Sequence, residues 1–533
     1  MANKEKENDP INPPILEFID TLEKNLSEEQ KKEKTNELDE DEEIEETGDS
    51  MARMYERVRN LIEYKDDHLV KRYAIERMLK RNLIIELRQQ DFSIQFLNEF
   101  VMAGYIERPK IFSDLKEQIQ KTISKYQKAV RLASGYEAKK WLVSIASCEI
   151  EEILFPSPAR YALARAMFET MKPRLNFSRR LPAREKDIQV FLAVLKSLSK
   201  VDNIYLSYYL AKVYLPEWFD KKSSENQRLR SVPQLTRLSR QLRRELQNPL
   251  SPKIGAAIRK YSVYFNVLYG AALANLAKIQ KVFQNPESLK FAVQLSAEEA
   301  YDREMRKFWK RVKRSLAFLV ITKVILAIVV EYPYDLYIAK NVNFLPLVIN
   351  LVFPPLYLLA LSTTVRRPSA ENSSLIARGV SEIVYSREEK PISEIRLEES
   401  RTFSDWALNL FFILTFGISF GLAIWILRIL HFNLLGIVIF LFLFSVVSFF
   451  NALVRQPVRT FLIAREKEGF IGVIIDTLSI PFVRIGKWMS INFSRVNVFI
   501  FLFDVIIEAP FKVFIRFIQE WSGFIRRKKE EIV

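Results

Sequence analysis

Glycine, histidine and cysteine are scarce. The 533-residue chain has 13 glycines, two histidines and one cysteine, whereas ordinary proteins carry about 7% glycine. Phosphate-cradling loops and successive tight hairpins need glycine, because only glycine reaches positive φ without strain. Its shortage argues against nucleotide-binding α/β domains and all-β sandwiches. Two histidines and one cysteine cannot build the three or four convergent ligands of a zinc site. His68 and His431 read as surface residues and Cys148 as a buried thiol in the apolar run 141–153. No metal and no cofactor are expected.

Catalytic patterns are missing as well. Gly486-Lys487 has a proline, Pro481, where a phosphate-binding loop needs its first glycine. Neither a nucleophile elbow nor an HExxH zinc signature occurs. Glu151-Glu152 and Glu298-Glu299 are neighbours on helical stretches, so the members of each pair point apart and cannot share one substrate as acid and base. The chain is not expected to be an enzyme.

Apolar material, by contrast, is abundant. The sequence is 49% hydrophobic and 12% aromatic, enough to exclude global disorder. Charge is partitioned. Residues 1–50 hold 18 acidic and 6 basic side chains, residues 51–314 hold 28 and 51, and residues 315–533 hold 18 and 23. The three parts have net charges of −12, +23 and +5, and their partners should differ accordingly. The acidic arm, 1–50, is expected to be disordered, since like charge and few apolar groups cannot offset the entropy of ordering. No secretory signal is expected in it, for want of an apolar stretch of the required length. Within it, Ile15, Leu16, Phe18, Ile19 and Leu22 have the spacing of a short amphipathic helix, read either as part of a solvated tail or as a docking segment.

Residues 51–314 read as a basic cytoplasmic domain of seven to nine helices. Apolar residues recur at helical spacing from 51 to 87 and again over 93–103, 114–132, 138–154, 158–171, 184–214, 233–247 and 253–284, with prolines between most runs. The stretch 228–246 stands out: Leu235, Leu238, Leu242 and Leu246 make one stripe, and Arg237, Arg240, Arg243 and Arg244 crowd the other faces. Such a helix packs its leucines and leaves its arginines either as a plain solvated face or as contacts for anionic lipid or nucleic-acid phosphates. Of the two ligands, lipid is favoured over nucleic acid, because apolar membrane stretches follow in the chain and no groove-reading or base-stacking motif accompanies the arginines.

The C-terminal part reads as a polytopic membrane domain. Crossing the hydrocarbon core takes about 20 apolar residues. Four stretches qualify: Leu316–Val330, Phe344–Leu361, Leu408–Leu427 and Leu434–Val454. They form two transmembrane hairpins, 315–361 and 408–454, joined by a cytoplasmic connection, 362–407. Lys and Arg gather before the first stretch, between the second and third, and after the fourth, which places both termini in the cytoplasm and the chain in the cytoplasmic membrane. Residues 455–533 are expected to hold two interfacial or re-entrant helices, 470–485 and 496–518, and a basic tail. The fold class is thus all-α. Lys323, Asn350, Asp476, Asp504 and Glu508 are candidates for an intramembrane polar site, since charge in hydrocarbon is costly and tends to mark function; the plainer reading has Lys323 reaching to the interface and the acids facing water. Gly417 and Gly421 form a GxxxG that permits close helix packing or self-association.

These features predict a non-enzymatic membrane protein that anchors a basic helical interaction domain at the cytoplasmic face. Its expected partners are the bilayer with its anionic headgroups, further proteins, and in one reading a second copy of the chain. A channel or transporter using the intramembrane polar residues is the first alternative. Membrane-tethered nucleic-acid binding through the arginine-rich helix is the second.

Overall fold

The computed structural model describes residues 11–35, 69–85, 92–106, 112–177, 182–199, 201–220, 223–338, 344–385, 393–395, 403–463 and 470–495. Among them the chain is helical apart from two three-residue strands, β1 (Leu175–Phe177) and β2 (Ser393–Ile395), paired in parallel with Leu175 opposite Ser393. The chain divides into two units, one built from residues 12–262 with β2 and the other from 263–385, 403–463 and 470–495.

The first unit begins with α1 (Pro13–Thr35). Ile15, Phe18, Ile19 and Leu22 are at most 3% exposed, and α1 packs along α6 (Pro158–Met171). An Arg165–Glu17 ion pair of 3.0 Å lies at the edge of this contact. The expectation of a disordered arm over 1–50 is therefore corrected for Pro13–Thr35. Four apolar side chains spaced i, i+3, i+4, i+7 suffice once a complementary helix face is present. The acidic run 39–46 lies outside the described residues.

Between these two come α2 (Val70–Lys80) with a π-turn at Arg81–Ile85, α3 (Ser93–Met102), α4 (Phe112–Leu132) and α5 (Tyr136–Leu154). After α6 follow α7 (Ala183–Ser199), α8 (Asn203–Tyr214), α9 (Pro216–Phe219), α10 (Glu225–Arg230) and α11 (Val232–Leu246). The apolar run 184–214 holds two helices instead of one. The break falls before Asp202, whose carboxylate caps α8 by accepting from the backbone N–H groups of Ile204 and Tyr205 at 3.2 and 3.0 Å. Prolines that mark breaks in the sequence serve here as first residues of the next helix, as at Pro158 and Pro216. The core gathers Phe96, Phe100, Tyr126, Ile145 and Trp218, all buried. Trp218 stands edge-on to Tyr126 at 5.5 Å between ring centroids.

The division between the units falls within α12 (Ser251–Ala274). The second unit continues through α13 (Ile279–Gln284) into α14 (Pro286–Leu326), 41 residues long and so about 60 Å at 1.5 Å per residue. A π-helical segment, Ala327–Glu331, and α15 (Tyr332–Tyr337) follow. Then come α16 (Phe344–Thr363), α17 (Ala370–Tyr385), α18 (Phe403–Ile429), α19 (Leu434–Arg459) and α20 (Phe470–Arg495).

Three of these helices are long and apolar enough to cross a membrane: Phe344–Thr363, Leu410–Ile429 and Leu434–Arg459. Leu316–Val330, expected as a span of its own, is not among them. It is the end of α14 and the π-segment, continuous with a charged helix that also carries Lys323. Residues 470–485, expected as a separate interfacial or re-entrant helix, belong to the 26-residue α20, which runs through Pro481 and packs along α19. The expected second helix, 496–518, lies outside the described residues.

Asn372 ties the second unit together. Its amide donates to the Tyr301 hydroxyl and the Phe461 carbonyl, both at 2.7 Å, and its Oδ1 accepts from the Ile463 N–H at 2.9 Å. One buried side chain thus fastens α17 to α14 and to the turn after α19.

Candidate functional site

Among the places that combine charge with burial or concavity, two bear on the residues singled out in the sequence. The first is the face of α11. Val232, Leu235, Leu238 and Leu242 are buried in the first unit, and Arg237, Arg240, Arg243 and Arg244 are all exposed. The leucine stripe and arginine face thus separate as the 3.6-residue period dictates. Arg240, Arg243 and Arg244 line an open cleft of about 930 Å³ between α11 and the turn from α4 into α5. Leu132, Ala138, Trp141 and Val232 give it apolar lining, and Glu137 is the one acidic side chain there. Gly135 sits at the head of α5 with φ +90°, and no side chain caps that helix.

The second place is a buried polar cluster in the second unit. Lys323, on α14, donates to one oxygen of Glu331, at the end of the π-segment. The Asn350 amide, on α16, donates to the other carboxylate oxygen at 2.9 Å. All three residues are 5% exposed or less. Pairing is what makes this burial tolerable, since an isolated charge away from water would cost several kcal/mol. Asn350 Oδ1 is buried and has no hydrogen-bond partner among the described residues. Pro354, inside α16, has no N–H to offer the Asn350 carbonyl four residues back. One helical turn beyond Glu331, buried Asp335 accepts from the Asn433 amide, and Asn433 Oδ1 caps α19 at the Gly436 N–H, 2.7 Å away.

Of the five polar residues singled out in the sequence, the structure joins Lys323 and Asn350, and it does so through Glu331. Glu331 escapes a hydropathy reading, because it stands among tyrosines and a proline in what looks like a loop. Asp504 and Glu508 lie outside the described residues, as does the side chain of Asp476. Among the described residues Gly417 and Gly421 do not mark a helix crossing: a Cβ at either would meet nothing within 4 Å. The close crossing is at Gly486 on α20, where a Cβ would come within 2.1 Å of the Ser445 carbonyl oxygen on α19. The neighbouring rings interlock, with Phe482 4.5 Å from Phe420 and 4.6 Å from Phe444.

The first unit also holds a buried network that composition alone could not reveal. Arg72, fully buried on α2, donates to Glu76 at 2.7 Å and to Asp202, the cap of α8. On α5, Glu149, Glu151 and Glu152 accept from the hydroxyls of Tyr126, Tyr205 and Tyr208 respectively. Burial pushes the Glu151 carboxyl up to about 7, against the pull of Arg72 and Lys71. Burial likewise lowers the Lys125 ammonium, although Glu149 opposes the shift. The Cys148 thiol, fully buried, is raised well above its usual range by the same cause. A raised thiol is a poor nucleophile, and its neighbours here are structural pairs.

Among the described residues, no group of three or more histidine, cysteine, aspartate and glutamate side chains could hold a metal ion. Comparison of the chain with protein-family models, curated proteins and solved structures finds no match in any of the three.

Proposed function

We propose that the chain is a non-enzymatic integral membrane protein that holds a basic helical interaction body against the anionic cytoplasmic face of the membrane. In this reading α16, α18 and α19 span the cytoplasmic membrane, and the apolar end of α14 with its π-segment, Leu316–Val330, is a fourth crossing that leaves both termini in the cytoplasm. Unit one carries the binding surface. The observation that supports it best is α11, whose buried leucine stripe leaves four exposed arginines on the outer side. Each such cation near an anionic bilayer surface contributes about 1 kcal/mol.

The single native cysteine, buried Cys148, makes a labelling test clean. A fluorophore on a Gln241→Cys variant of the full chain, in nanodiscs with a headgroup quencher, should be quenched when phosphatidylglycerol is present. Quenching should fall at 0.5 M salt, where the Debye length shrinks to roughly 4 Å. Quenching that ignores both lipid charge and salt would overturn the reading.

The Lys323–Glu331–Asn350 cluster supports a second reading, ion or proton transport, because ionisable groups buried among membrane helices often line a pathway. Proteoliposomes carrying the full chain would then show flux that Glu331→Gln reduces. Absence of flux through the intact protein eliminates this reading.

A further inference from the structure

We infer that the cleft between α11 and the α4–α5 turn is a discrete site for a single phosphate-bearing amphiphile, the headgroup and glycerol end of an anionic phospholipid. The inference rests on the proposed attachment to anionic lipid and goes further: attachment is through one shaped site as well as a diffuse charge.

The cleft offers two kinds of surface in one concavity. On the α11 side, Arg240 and Arg243 lie three residues apart and Arg244 follows, so the three share a helix face and line the same cleft. Guanidinium matches phosphate oxygens with paired N–H donors, which a diffuse surface charge does not. Against three arginines stands one acid, Glu137, so the net charge facing a ligand is positive. Facing the arginines are the apolar Leu132, Ala138 and Trp141, with Leu132 60% exposed. A tryptophan beside cations suits the boundary between headgroup and acyl chain, where an apolar ring and a polar rim are both satisfied.

A free inorganic phosphate would use only the arginine wall, and an apolar helix only the floor. An amphiphile with a phosphodiester and a short apolar body uses both. At about 930 Å³ the cleft is of the size that takes small molecules, roughly 300–1,000 Å³. Arg237, on the same helix and equally exposed, does not line this cleft. It lines a neighbouring concavity with Arg240, Arg244 and Glu245, and so serves as a control for arginine charge on this helix outside the proposed site.

The test uses the full chain in a neutral detergent and, as probes, monomeric dihexanoyl phosphatidylglycerol, dihexanoyl phosphatidylcholine and inorganic phosphate. Binding is followed by tryptophan fluorescence, with stoichiometry from native mass spectrometry. The expected result is saturable binding of one phosphatidylglycerol, at least tenfold tighter than phosphatidylcholine or phosphate. Arg240→Gln with Arg243→Gln should weaken it at least tenfold, and Trp141→Ala should weaken it several-fold by mass spectrometry. Arg237→Gln should stay within twofold of the parent. All four are surface or half-buried positions, and unchanged melting of each variant establishes that the fold is intact.

Phosphate binding as tightly as the lipid would overturn the amphiphile assignment. Equal losses at Arg237 and at the Arg240/Arg243 pair would overturn the discrete site while leaving diffuse attachment standing. Nanodisc quenching that is indifferent to lipid charge would instead remove the attachment itself.

Discussion

Replacing Glu151 by glutamine should stabilise the first unit at pH 8 and do almost nothing at pH 4. Glu151 lies on α5 at 7% exposure, accepts a hydrogen bond from the Tyr205 hydroxyl, and is raised from 4.5 to about 7 by burial. Arg72, the larger of the two cationic pulls on it, offers limited relief, because its guanidinium donates to Glu76 and Asp202. The folded state therefore holds this proton more tightly than the unfolded chain does. Between pH 4.5 and 7 the folded state binds more protons, so stability falls as pH rises through that window and is level above it. Below pH 4.5 both states are protonated and no penalty exists. Holding the proton up to about 7 against an ordinary 4.5 corresponds to about 3 kcal/mol at pH 8. Glutamine is neutral at every pH, and its carbonyl can still accept from Tyr205. Amide hydrogen exchange of the full chain in detergent, followed on peptides of α5 and α8, would read the opening free energy. The expected difference, variant minus parent, rises from near zero at pH 4 to about 2–3 kcal/mol at pH 8. A difference independent of pH, or a parent that gains protection between pH 5 and 8 relative to the variant, would refute the reasoning.

Other substitutions test other joints. Gly486→Leu should disrupt the crossing of α19 and α20, since its Cβ would overlap the Ser445 carbonyl. The loss should reach 1–3 kcal/mol or more by thermal melting in detergent, whereas Gly417→Leu, in open space, should leave the melt unchanged. Phe18→Ala removes a fully buried ring from the α1–α6 contact and should cost about 3–5 kcal/mol locally, seen as faster proteolysis within 13–35 than in the parent. Lys323→Met leaves Glu331 buried and unpaired and should cost about 3–5 kcal/mol, and adding Glu331→Met should recover most of it. Equal melting of the single and double variants would show that the pair is not coupled.

Much of the helical layout is visible in composition and spacing, and the misses have physical causes. Ser93–Met102, Phe112–Leu132 and Pro158–Met171 fall where apolar periodicity places them, because a helix face is a local property. The break before Asp202 is not visible as a gap in hydropathy, since only Lys200, Val201 and Asp202 separate the two helices and the Asp202 carboxylate starts the second. The fate of Ile15, Phe18, Ile19 and Leu22 could not be decided locally either. The same pattern is a solvated tail or a docked helix depending on whether a partner face exists, and α6 provides one.

The candidate sites divide the same way. The arginine face of α11 follows from sequence, because charge and leucine alternate on a single helix. The cleft beside it depends on the α4–α5 turn, roughly a hundred residues earlier in the chain. Glu331 looks like a loop residue until the π-segment turns it toward Lys323 and Asn350. Gly486 looks like a failed phosphate loop until α20 lies against α19.

By itself, then, the sequence determined that this protein is helical, that it carries helices apolar enough to cross a membrane, and that its charge is segregated along the chain. Glycine scarcity, hydropathy and helical period act within a few turns of chain. Which buried charges pair, which glycine meets a neighbouring backbone and which arginines share a cleft was decided only by tertiary structure. Each of those facts requires two segments far apart in the chain to meet in space, and local periodicity carries no information about that meeting.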